Sequence, residues 1–107
     1  MAMYRIALDA MGGDNAPQAV VEGAKLAVKE FSDVTVQLYG PEEVLKPLVD
    51  GCERVEIVHA PDVIGMHDSP MLAVRQKVDS SMVRAVMAVR EGKADAVVSA
   101  GSTGALL

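Results

Sequence analysis

A regular alternation of short apolar stretches with helical patterns constrains the fold of this chain most. Four short, mainly apolar stretches are predicted as strands, at residues 4–9, 34–39, 55–59 and 96–99. Strands this apolar are typical of a parallel sheet that is covered on both sides. The alternation therefore predicts an α/β chain, a three-layer α/β/α fold with an open, mainly parallel sheet.

Three helices are predicted between these strands. The first begins at a capping box formed by Asn15 and Gln18. Its apolar stripe recurs at helical spacing and comprises Val20, Val21, Ala24, Ala27, Val28 and Phe31. The second covers residues 42–48 and ends near Pro47 and Gly51. The third covers residues 82–91, with Ser80 or Ser81 as its cap and Gly92 at its end.

Composition and charge narrow the class of protein. Half of the 107 residues are apolar and 23% are charged, a balance typical of an ordinary folded domain. The single cysteine excludes an internal disulfide, no secretory signal is visible, and no apolar run approaches the ~18 residues of a membrane span. We therefore expect a cytoplasmic protein. The net charge of −5 argues against nucleic acid as a partner.

The loop after the first predicted strand carries two glycines between two aspartates. Gly12 and Gly13 allow a tight turn, while Asp9 and Asp14 would repel a bare phosphate. The spacing matches neither the dinucleotide fingerprint nor the P-loop, which disfavours those ligands. We expect all four residues to shape a cleft, the aspartates bonding loop amides or a ligand hydroxyl. A purely structural role for both aspartates is the alternative.

The loop after the fourth predicted strand is built from small residues. Its backbone amides would point outward at the positive end of a helix dipole, and two hydroxyls add donors, which suits a phosphate. The predicted phosphate-binding residues are Gly101, Ser102, Thr103 and Gly104. The alternative is a turn that serves only close packing of a strand and a helix.

A third candidate segment precedes the last predicted helix. Arg75 and Lys77 offer two cations and Ser80 and Ser81 two hydroxyls, which together could hold an anionic ligand. The alternative is a surface ion pair with Asp79. The positions of the two histidines and the cysteine make no metal set, so no metal is expected.

Several motifs then occur together in order. They are Asp9-Ala-Met-Gly-Gly-Asp14 with Ala16-Pro17, Ala73-Val74-Arg75, Asp79-Ser-Ser-Met82, Ala94-Asp95-Ala96 and the stretch from Ser99 to Ala105. Over the whole chain they resemble the bacterial acyl-ACP:phosphate acyltransferase family. One difference is Ser102, where that family usually has Asn. Serine keeps a hydrogen-bond donor and acceptor at this position.

The resemblance implies a fold, an activity and partners. The fold would be Rossmann-like, similar to phosphotransacetylases and isocitrate-type dehydrogenases. The family moves a fatty acyl group from acyl carrier protein to inorganic phosphate and so makes acyl phosphate for phospholipid synthesis. It is homodimeric, associates peripherally with the membrane and needs no metal or organic cofactor. Family members are much longer, so residues 1–107 are expected to be the N-terminal part of a larger catalytic domain, inactive alone.

Two other functions fit the same residues. A fragment of an NAD-type dehydrogenase agrees with the alternating pattern, although the glycine fingerprint is missing. A small non-enzymatic module that binds an anion agrees with the length of the chain.

Overall fold

The computed structural model describes residues 3–61 and 80–100. Along the chain, these residues form the strand β1 (Tyr4–Asp9), helix α1 (Gln18–Glu30), strand β2 (Val34–Gly40), helix α2 (Glu42–Val49), strand β3 (Val55–His59), helix α3 (Ser81–Arg90) and strand β4 (Ala96–Val98). The four predicted strands are thus confirmed to within one residue at each end, as is the strand–helix alternation.

The four strands form one open sheet in the order β3-β2-β1-β4. Every pairing in it is parallel, and β1 pairs with both β2 and β4. The strands β2 and β3 therefore follow one another on one side of β1, and β4 pairs with β1 on its other side. This arrangement confirms the α/β class and the parallel sheet, and it makes β1 and β4 neighbours whose carboxyl ends lie at the same edge.

Helices cover both faces of the sheet, as predicted. Helices α1 and α2 pack on one face, around a core that includes Val21, Ala24, Val28, Val36, Leu38, Leu45 and Val49. Helix α3 packs on the other face, where the core is made mostly of alanine: Ala7, Tyr39, Ala85, Ala88 and Ala94. Consecutive residues of a strand point to opposite faces, which is why Leu38 and Tyr39 belong to different cores. The small alanines let α3 approach β1 closely.

The start and end of α1 differ from the prediction. The helix begins at Gln18 with Pro17 as its N-cap, and no side chain caps it, so the predicted capping box is wrong. Asn15 lies two residues before the N-cap, where its backbone carbonyl accepts the Ala19 amide at 3.1 Å. Phe31 was expected in the buried stripe but is 57% exposed, because it is the C-cap residue and has left the helical conformation.

The other two helices are close to the prediction. Helix α2 continues past Pro47 to Val49, and Asp50 ends it in the left-handed conformation. Helix α3 is capped by Ser80, whose Oγ accepts the Val83 amide at 3.2 Å. Of the two serines proposed as caps, Ser80 is therefore the one.

Two charged side chains join neighbouring elements at the edge of the sheet where the strands begin. Arg54 directs its guanidinium at the carbonyls of Val28, Phe31 and Val34, where α1 ends and β2 begins. Asp95 accepts the Arg5 amide at 2.8 Å through Oδ2, and its own amide donates to the Arg5 carbonyl at 2.8 Å. Asp95 thus joins β4 to β1 at the edge opposite to the strands' carboxyl ends.

Candidate functional site

Asp9 lies at the carboxyl end of β1 and is the centre of the candidate site. Only 2% of this residue is exposed. Its Oδ1 accepts the Met11 amide at 3.1 Å and the Ser81 hydroxyl at 2.5 Å, and its Oδ2 accepts the Ser99 hydroxyl at 2.9 Å. One buried carboxylate therefore connects the loop after β1, the start of α3 and the residue after β4.

The cost of burying a charged group explains this arrangement. A carboxylate removed from water is stable only when hydrogen-bond donors replace its hydration shell. Three donors do so here, and no buried side-chain oxygen or nitrogen among residues 3–61 and 80–100 lacks a partner. Asp9 was expected to bond either loop amides or a ligand hydroxyl. In the structure it accepts the Met11 amide of the loop and two serine hydroxyls. An enclosed carboxylate of this kind holds loops in place and is not presented to a bulky substrate.

The glycines of the first loop bring it against the end of β4. Gly13 has a φ of +94°, which favours glycine, and a Cβ placed on it would lie 3.2 Å from the Cβ of Ala100 and 3.3 Å from the Ala100 carbonyl oxygen. The first loop therefore touches the backbone of the second. Gly12 is buried and donates its amide to the Asp9 carbonyl at 3.5 Å, whereas Asp14 is exposed.

The hydroxyls of Ser80 and Ser81 were predicted to bind phosphate, and the structure gives both another role. Each residue is buried, with 0% and 1% exposure. The Ser80 Oγ caps α3 and the Ser81 Oγ donates its only hydrogen to Asp9. Neither hydroxyl is presented at the surface, because the N-terminus of α3 packs directly against the end of β1. The remaining predicted site residues, Arg75, Lys77, Gly101, Ser102, Thr103 and Gly104, lie outside the described residues.

Sequence reasoning did not identify two of the polar contacts that shape this part of the molecule. Ser99 was assigned to the small-residue loop but not paired with Asp9, although adjacent parallel strands end at one edge. His59 was placed at the end of a strand, with no metal or catalytic role, but no partner was predicted for it. In the structure, its Nδ1 accepts the Glu42 amide at 3.1 Å and so satisfies an N–H at the start of α2.

A groove lies on the other side of α3 from β4, beside Tyr39. Its volume is about 280 Å³, and it is lined by Tyr39, Val58, Arg84, Met87, Ala88, Glu91 and Lys93. Burial raises the pKa of the Tyr39 phenol, and the negative charges of Glu56 and Glu91 raise it further, while Arg84 opposes them. The phenol donates to Gln37 Oε1 at 3.1 Å and is held in its neutral form.

The described part of the chain contains neither a cluster of metal ligands nor a membrane-spanning helix. Among residues 3–61 and 80–100, no three His, Cys, Asp or Glu side chains come together in a group that could hold a metal ion. None of the helices in the described part of the chain is both long and apolar enough to cross a membrane.

The described residues form an open parallel α/β sheet. The loop after β1 meets the residues that follow β4 at the carboxyl ends of these two strands. Comparison with known proteins identifies the family of this chain. A model of the family described as "Fatty acid synthesis protein" matches residues 4–107, and the chain belongs to this family.

Curated relatives cover nearly all of the chain. Phosphate acyltransferase from Streptococcus sanguinis is 56% identical over 105 residues, which are 98% of this chain and 32% of that protein. The protein of the same name from Streptococcus pneumoniae is 55% identical over 105 residues, with the same shares. That from Lactococcus lactis is 55% identical over 103 residues, 96% of this chain and 31% of that protein. The chain thus spans about a third of the length of these relatives.

Proposed function

We propose that these residues form one part of an enzyme that moves a fatty acyl group from acyl carrier protein to inorganic phosphate, giving acyl phosphate for phospholipid synthesis. The observation that carries the proposal is 53–56% identity to proteins named phosphate acyltransferase over nearly the whole chain. The family description supports the wider role in fatty acid synthesis. The acyl carrier protein as donor and the acyl phosphate as product are the proposed details.

The proposed reaction needs no enzyme nucleophile. A phosphate oxygen attacks the thioester carbonyl carbon and a tetrahedral oxyanion forms. As the carbonyl re-forms, the C–S bond breaks with its electron pair, and the carrier's thiolate leaves and takes up the proton that hydrogen phosphate gives up. The protein must hold phosphate in line with the carbonyl and stabilise the developing negative charge. We assign phosphate to the loop of Gly101 to Gly104, and charge compensation to Arg75 and Lys77.

The structure of the described residues supports this placement in one respect. In open parallel sheets, ligands bind beyond the carboxyl ends of the strands, at the point where the strand order reverses. That point is the junction of β1 and β4, because β1 lies between strands built in the two directions. The proposed phosphate loop follows β4 directly. We also propose that the whole enzyme is a homodimer in the cytoplasm and that it associates peripherally with the membrane.

A chimera tests the function. The 107 residues replace the matching third of the Streptococcus sanguinis phosphate acyltransferase. With acyl carrier protein loaded with a fatty acyl group, we expect a phosphate-dependent product that hydroxylamine traps as a hydroxamate. The isolated chain should form none above a heat-inactivated control. A folded chimera that makes no acyl phosphate, while the parent enzyme does, would refute the proposal.

Thr103→Val in this chimera tests the phosphate loop. The substitution keeps the shape of the side chain and removes one donor. A hydrogen bond to a charged group contributes about 1.5–3 kcal/mol, so the phosphate KM should rise roughly 10- to 100-fold. The matched control is Thr35→Val, on β2 near the strands' amino ends, which should leave it unchanged. An unaltered phosphate KM for Thr103→Val would mean that phosphate binds elsewhere.

A further inference from the structure

Three segments that are distant in sequence meet at the Asp9 carboxylate. Its partners are a backbone amide two residues later, a hydroxyl 72 residues away and another 90 residues away. The last of these, the Ser99 hydroxyl, belongs to the first residue after β4. This bond fixes the point at which the chain leaves the sheet toward the proposed phosphate loop.

A carboxylate suits this junction because all three partners of Asp9 are donors. An ionised carboxylate only accepts hydrogen bonds and can accept several at once. Asparagine offers one oxygen and one NH₂ group, which donates. In one orientation Asn would keep the Met11 and Ser81 bonds and turn its NH₂ group toward Ser99, whose hydroxyl would have to rotate and accept. In the other orientation Asn would keep the Ser99 bond, reverse that of Ser81 and lose that of Met11.

A second contact fixes the next residue. Gly13 leaves no room for a side chain beside Ala100, so the loop after β1 rests on the Ala100 backbone. Ser99 is held by Asp9 and Ala100 by Gly13. Both contacts come from the β1 end of the junction, and the Ser99 hydroxyl hydrogen is directed at Asp9.

We propose that Asp9 is a positioning residue: it does not touch phosphate but holds Ser99, and with it the point where the chain leaves β4, through the Ser99 hydroxyl. The catalytic meaning of this inference rests on the proposed function. Its structural part, that Asp9 orders Ser99 and Ala100, does not. Displacement of a binding loop by about 1 Å can reduce a rate on the order of 100-fold.

The kinetic test uses the chimera and four variants: Asp9→Asn, Ser99→Ala, the double variant and Asp95→Asn. Asp95 is the matched control, since its carboxylate also ties β4 to β1 but at the opposite edge. We expect Asp9→Asn and Ser99→Ala each to lower kcat/KM for phosphate roughly 10- to 100-fold. The double variant should lose less than the product of the two single losses, because both substitutions disturb the Asp9–Ser99 bond. The KM for the loaded carrier and the Asp95→Asn kinetics should stay within about twofold.

Hydrogen exchange provides a readout that does not depend on activity. Without phosphate, amides in the peptide that contains Ser99 and Ala100 should exchange faster in Asp9→Asn than in Asp95→Asn. Unchanged exchange, additive kinetic effects, or an equal loss in Asp95→Asn would overturn the inference. If the unsubstituted chimera makes no acyl phosphate, the proposed function fails, and hydrogen exchange alone decides the role of Asp9. If Asp9→Asn does not fold, Ser99→Ala alone decides in both assays.

Discussion

Arg54 offers a direct test of how this fold is held together. Its guanidinium donates to the Phe31 carbonyl at 2.9 Å, to the Val34 carbonyl at 2.7 Å and to the Val28 carbonyl. Two of these acceptors belong to the end of α1, where carbonyls lack partners within the helix and carry partial negative charge. Arg54→Met removes the three bonds and keeps most of the apolar stem.

The size of the effect follows from the exposure of the three bonds. A hydrogen bond to a charged group contributes about 1.5–3 kcal/mol when water cannot replace it. The bond to Phe31 is exposed, so water can replace it, while those to Val28 and Val34 are partly buried. Counting the two partly buried bonds near the lower limit, we expect Arg54→Met to lower the free energy of unfolding by about 2–4 kcal/mol.

Urea denaturation of the chain, followed by far-UV circular dichroism, measures this loss. Arg54→Lys separates charge from direction, because an ammonium group keeps the attraction to the helix end but cannot match the planar fork of donors. It should recover less than half of the loss. Arg90→Met is the control: this arginine is exposed at the end of α3, and its loss should cost under about 0.5 kcal/mol. The reasoning would be refuted if Arg54→Met cost as little as Arg90→Met, or if Arg54→Lys were as stable as the unsubstituted chain.

Two further predictions concern the junction and the groove. Gly13→Ala should destabilise the chain by roughly 1–3 kcal/mol, since it combines a positive φ with contact against Ala100. Gly23→Ala, at an open position of α1, should instead stabilise it by about 0.5–1 kcal/mol, and equal effects in urea melts would contradict the argument. Because the pKa of Tyr39 is raised in the folded chain, the stability that its neutral phenol contributes is present below pH 10.0 and is lost as the pH rises through its folded pKa. The urea midpoint of Tyr39→Phe should therefore fall less on alkalinisation than that of Tyr4→Phe, and identical curves would exclude this role for Tyr39.

The sequence was sufficient to predict what depends on local pattern. Period-two and helical spacing located all four strands and the helices α1, α2 and α3, and the apolar character of the strands predicted the parallel sheet. The errors concern the two ends of α1, where the surroundings of a single residue decide whether it caps the helix or lies outside it. Asn15 looks like a cap, but Pro17 takes the N-cap position. Phe31 fits the apolar spacing, but it stands one residue past the end of α1.

The candidate site could be predicted only as a region. The composition of the loop after β1 and the expected parallel topology predicted a site beyond the carboxyl ends of the strands, and Asp9 and Gly13 were among the residues selected on that basis. The pairing of Asp9 with Ser81 and Ser99 could not be predicted, because it joins residues 72 and 90 positions apart. Serines next to a helix start can cap it, bind an anion or satisfy a buried acid. Only the packing of α3 against β1 distinguishes these roles.

The strand order explains why this edge is built with a carboxylate at its base. At the reversal point, α1 packs on one face of the sheet and α3 on the other, and the ends of β1 and β4 meet at the Asp9 carboxylate. An anion that approached this carboxylate would meet no spare donor there. The Ser81 and Ser99 hydroxyls, which could have donated to it, already donate to Asp9. Asp9 and its two serine partners therefore hold the ends of these elements together and do not themselves form an anion site.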